Sequence, residues 1–101
     1  MPSQVRPYED VNFTAADSPF TAAVASDLGV RAGDGYIACD GAGSIQVELS
    51  ANGVDFDPPF LLKMGDVVTL KGLAVHTIRL THLGTDSAYR ILASPLGTDV
   101  S

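Results

Sequence analysis

Apolar and polar residues alternate most cleanly over Ser44-Ile45-Gln46-Val47-Glu48-Leu49-Ser50, where Ile45, Val47 and Leu49 interleave with Gln46 and Glu48. A period of two marks a strand with one buried and one wet face. Shorter runs repeat the theme. Residues 75–81 and 88–93 are rich in strand formers, and Gly84-Thr85-Asp86-Ser87 between them is a run of turn residues. The rest of the chain is expected to pack around this pair, with Tyr89 facing inward. Residues 36–39, 60–63 and 67–71 read as further short strands, divided by Asp40-Gly41-Ala42-Gly43 and by Met64-Gly65-Asp66. Asn52-Gly53 predicts a tight type I′ hairpin, and Pro58-Pro59, unable to donate to a ladder, keeps residues 54–60 a loop. Gly33 and Gly35 predict a tight turn over 31–35. Residues 20–30 are ambiguous: their alanines permit a short helix, but Pro19 and Gly29 bracket them, and a strand over 21–26 is favoured.

Residues 1–18 form a separate zone. Pro2 and Pro7 bar helix, while Tyr8, Val11 and Phe13 are spaced apolar anchors in polar sequence. This predicts an extended N-terminal arm with a short strand over 8–13, lying on its own domain or on a neighbour. The whole reads as all-β: an antiparallel β-sandwich or jelly-roll-like barrel of seven or eight short strands, about 8–12 residues apart. The expected divisions are the arm at 1–18, the sandwich at 19–94 and a loose tail at 95–101.

Composition narrows the function. A chain of 101 residues holds one domain with one modest core. Formal charge is −6, and the six basic residues, Arg6, Arg31, Lys63, Lys71, Arg79 and Arg90, are scattered. Neither nucleic acid nor an anionic membrane is an expected partner, since both need a clustered basic footprint. Cys39, alone in an apolar run, reads as a small buried hydrophobe. No apolar run approaches the length of a membrane span, and the first twenty residues lack a signal peptide's apolar segment. The expected site of synthesis is the cytoplasm.

Candidate chemistry is thin. His76 and His82, six residues apart on one extended strand, would lie ~20 Å from each other, too far for a shared zinc ion. Asp34, Asp40, Asp55, Asp57, Asp66 and Asp86 nearly all neighbour Gly, Pro or Ser, where carboxylates bond turn backbones. A calcium site built from two loops stays open, although no EF-hand spacing is present. A glycosidase carboxylate pair also stays open, with little room for a cleft. Ser44, Ser50 and Ser87 lack a nucleophile-elbow context, and Gly41-Ala42-Gly43 precedes a strand, unlike a phosphate cradle. No catalytic residue, metal or cofactor is expected. Arg90 is expected on the face opposite Tyr89, pairing with Glu48 or another acidic neighbour.

Asp34-Gly35-Tyr36-Ile37, Ser44-Ile45-Gln46-Val47-Glu48-Leu49-Ser50-Ala51-Asn52-Gly53, and His76-Thr77-Ile78-Arg79-Leu80-Thr81-His82 with Thr85-Asp86-Ser87-Ala88-Tyr89-Arg90 resemble small virion proteins of tailed bacteriophages. These are the all-β auxiliary head proteins that decorate or cement the capsid. The resemblance spans about residues 20–93. It implies a non-enzymatic homotrimer on the capsid surface, bridging subunits of the major capsid protein. Similar sandwiches occur in phage tails and fibres, which leaves a second expectation: a module binding another virion protein, or a host glycan through residues 52–59. On the chain's own reading, Tyr8, Val11 and Phe13 of the arm, with Arg79 and Arg90 of the outer faces, are the candidate partner contacts.

Overall fold

A computed structural model describes residues 5–95. Two four-stranded antiparallel sheets face each other. In chain order the strands are β1 (Arg6–Phe13), β2 (Phe20–Ala22), β3 (Ala32–Cys39), β4 (Ile45–Ser50), β5 (Phe60–Leu62), β6 (Val67–Val75), β7 (Thr77–His82) and β8 (Ser87–Ser94). One sheet runs β1-β8-β3-β6 and the other β2-β7-β4-β5. The first half of the chain thus pairs with the second in reverse order, β1 with β8, β2 with β7, β3 with β6 and β4 with β5. An eight-stranded double hairpin rolled up in this way has the jelly-roll topology. Successive strands change sheet at every step except β4 to β5.

The core lies between the sheets. Ile37, Cys39, Leu70, Tyr89, Ile91 and Ala93 face inward from one, and Ala22, Ile45, Val47, Leu62, Ile78 and Leu80 from the other. The β1–β2 side is closed by aromatic rings. Tyr89 stacks on Phe20 at 5.3 Å and meets Phe13 edge-on at 5.3 Å, while Tyr8 tilts against Phe20 at 6.0 Å. Such pairs contribute about 0.5–1.5 kcal/mol each beyond their buried area.

Five local expectations are corrected. The strand predicted over 75–81 breaks at His76, because the chain leaves one sheet at Val75 and enters the other at Thr77. The two histidines therefore do not share a strand. The turn predicted at 31–35 is the first half of β3. Its glycine is needed for close approach: a Cβ on Gly35, at φ +138°, would lie 1.8 Å from the Leu92 carbonyl oxygen. The strand favoured over 21–26 stops at Ala22, and α1 (Val24–Leu28) follows. Val24 and Leu28, four apart, bury one face of that helical turn, and Gly29 ends it in the left-handed conformation at φ +83°. The type I′ turn at Asn52-Gly53 does not form, since Gly53 has positive φ and Asn52 does not. Instead residues 51–59 make a long loop. Finally, β6 runs four residues beyond its expected end at 71.

Of the expected arm, β1 lies on the chain's own domain as an edge strand beside β8. On a regular strand Tyr8 and Phe13, five apart, would face opposite ways. A bulge between Asp10 and Phe13 sets three β1 steps against two on β8, so both rings turn toward the core. Residues 1–4 and 96–101, which hold the start of the arm and most of the expected tail, lie outside the described residues.

Candidate functional site

The candidate contacts separate into a core group and two outward arginines. Phe13 is fully buried, so its ring is a core element and presents nothing to a partner. Tyr8 is half-buried, and its hydroxyl donates to the Asp27 carboxylate. Burial, reinforced by that carboxylate, pushes the phenol up to about 12. Val11, at the bulge, is 81% exposed. Of the three arm candidates, Val11 is the one open to solvent with no role in the core.

Arg79 sits on the outer face of the β2-β7-β4-β5 sheet, because its neighbours Ile78 and Leu80 point inward. Glu48 is its direct cross-strand partner on β4. The guanidinium donates from Nε to Oε1 and from Nη2 to Oε2, both at 3.0 Å. Its Cζ lies 4.0 Å from the centre of the Phe56 ring, which the β4–β5 loop folds over this face. The paired hydrogen bonds from Arg79 hold the Glu48 carboxyl below the usual carboxylate range.

Arg90 occupies the matching position on the other outer face, between Glu9 of β1 and Ala38 of β3. It donates from Nε to Asp40 Oδ2 at 2.6 Å and from Nη2 to Oδ1 at 3.1 Å. Of the two expected partners, Glu48 or another acidic neighbour, the second is found in Asp40; Glu48 lies on the opposite sheet and belongs to Arg79. Arg90 also stands 6.0 Å from the centre of the Tyr36 ring. Its hydrogen bonds depress the Asp40 carboxyl in the same way. A half-open depression of about 160 Å³ lies beside it, lined chiefly by Pro7, Glu9, Tyr36, Arg90 and Leu92.

Several of the remaining candidates find structural partners. His76 is a corner residue whose N–H donates to the Ser50 carbonyl at 2.7 Å and whose carbonyl accepts from Ala25 N–H at 3.0 Å. Cys39 is buried, its sulfur 3.4 Å from both the Gly43 carbonyl and the Ser87 hydroxyl. Gly41 and Gly43 pack against the backbone of residues 85–88. Asp66 accepts the Lys63 N–H at 2.8 Å and Asp55 accepts from Asn52 Nδ2 at 3.2 Å. Among the described residues, no three His, Cys, Asp or Glu side chains gather as a metal site.

Asp40 and Phe56 are the site residues that sequence reasoning missed. Asp40 is 50 positions from Arg90, and Phe56 lies in a loop, so neither carries a local signal. Glu48 was legible as a wet-face residue of β4, but its partner was not. No known protein family, curated protein or solved structure matches this chain.

Proposed function

We propose that this protein is a non-enzymatic capsid decoration protein of a tailed bacteriophage, bridging neighbouring subunits of the major capsid protein. The observation that carries the reading is the pair of arginines on opposite faces of one sandwich, each held by a carboxylate and set beside an aromatic ring. Bridging needs two binding faces. Arginine and tyrosine dominate the energetics of protein contacts, and a side chain ordered in advance loses less entropy on binding. The resemblance of the β3, β4 and β7–β8 segments to auxiliary head proteins supplies the partner. A homotrimer on the capsid lattice fits the same reading.

The test is cryo-electron microscopy of virions assembled with and without the protein, paired with co-sedimentation of heads with Arg79→Ala and Arg90→Ala. The expected result is added density on the head, with affinity for heads falling about tenfold for each variant. Added density on the tail or fibres would replace this reading with the tail-module one. Unchanged co-sedimentation of the double variant would remove the arginines from the contact.

A further inference from the structure

We propose that His82 is a proton-operated latch on the β7–β8 loop, breaking its hold on Gly84 when the ring gains a proton. The inference stands independently of the capsid reading. His82 ends β7, and its side chain is 6% exposed. Its backbone N–H donates to Ser18 Oγ at 2.9 Å, and its ring meets Phe13 edge-on at 6.0 Å, so the imidazole is fixed in place. Gly84 N–H donates to Nδ1 at 3.1 Å. A ring nitrogen that accepts carries no proton, so the neutral ring has its hydrogen on Nε2, directed at Asp86 Oδ1 at 3.0 Å.

A second proton can enter only at Nδ1, where the Gly84 N–H already points. Two N–H groups then face each other and that hydrogen bond breaks, while the bond to Asp86 becomes an ion pair. Phe13 of β1, Ile45 opposite on β4, and the Ser18 hydroxyl before β2 bring no charge to the ring. The Asp17 carboxylate, one residue from Ser18, accepts from Thr14 N–H and Oγ1 at 3.2 Å each. Asp86 is thus the charged group that holds the ring in either state. Gly84 has room to move: its φ is +100°, and an added Cβ would meet nothing within 4 Å. Beyond it the Thr85 backbone lies against Gly43 and the Asp86 carbonyl accepts Gly43 N–H at 3.2 Å, which confines the motion to Leu83 and Gly84.

The test is amide NMR of the full chain over a range of pH, with both histidine rings followed in parallel. The Gly84 amide shift is expected to follow the His82 ring midpoint. Its hydrogen exchange, corrected for intrinsic pH dependence, should quicken about tenfold in the acid form. Gly43 should stay unmoved. His82→Asn sets a non-titrating oxygen near the Nδ1 position, and its Gly84 amide should be flat across the range. A wild-type Gly84 amide that stays flat, or that follows His76, overturns the proposal, as does one that still moves in His82→Asn. Should that variant fail to fold, the wild-type comparison of the two histidine midpoints decides.

Discussion

The two loops that close β4 make an instructive contrast. Both contain glycine and aspartate, and a turn is expected from the sequence in each. At the β3–β4 end, backbone lies on backbone: an added Cβ would stand 2.3 Å from the Ala88 nitrogen at Gly41 and 2.1 Å from the Thr85 oxygen at Gly43. Asp40 N–H donates to the Ala88 carbonyl at 2.8 Å, and Ser87 Oγ donates to the Gly43 carbonyl at 2.6 Å. At the β4–β5 end, residues 51–55 are held by nearby side chains. Ser50 Oγ accepts Gly53 N–H at 2.8 Å and donates to the Asp55 carbonyl at 2.7 Å, and Asn52 Oδ1 accepts the N–H groups of Val54 and Asp55 at 2.8 Å each. Gly53 meets the His76 ring, a side chain able to shift, and Val54 is 78% exposed. The first loop is locked by tertiary contact and the second is largely self-supporting. The physical difference is whether the neighbour that excludes a side chain can move.

The sharpest way to break this contrast is Gly43→Ala. Its Cβ has no space and its neighbour is backbone, so we expect a loss of about 3 kcal/mol or more in urea unfolding, from displacement of residues 85–88. A loss under 1 kcal/mol would mean that the β3–β4 loop is not locked against residues 85–88. Ser50→Ala comes next. The buried hydroxyl anchors the second loop alone, so a loss of about 2 kcal/mol is expected, with amide shifts confined to residues 49–57 and none at 85–88.

The smallest effect concerns the arginine clamps, one beside each loop. Asp40 and Glu48 have carboxyls depressed by their arginines, so their stabilisation is complete above the ordinary carboxylate range and is lost as pH falls below it. Both lie at the surface, the Asp40 side chain 37% exposed and that of Glu48 16%, which keeps the contribution modest. Asp40→Asn and Glu48→Gln should each flatten part of the acid limb of a stability–pH curve. Unchanged limbs in both variants would show that the clamps order the arginines without stabilising the fold.

The outward position of Glu48, the inward position of Tyr89 and the burial of Cys39 were legible, because alternation or an apolar neighbourhood dictates them locally. The placement of Phe13 was not. Its burial depends on a bulge that exists only once β1 lies against β8. Phe56 was missed because a loop aromatic has no periodicity to place it. Asp40 was read as a turn carboxylate, which it is by position, but its bond to Arg90 depends on β3 and β8 being neighbours.

By itself the sequence determined the fold class, a count of seven or eight strands and the inward faces of β4 and β8, since these follow from period-two patterning and turn chemistry. Only the tertiary structure decided the rolled strand order, the break at His76, the bulge that buries Phe13 and the partners of both arginines. Each depends on contacts between segments far apart in the chain, where no local spacing carries the information.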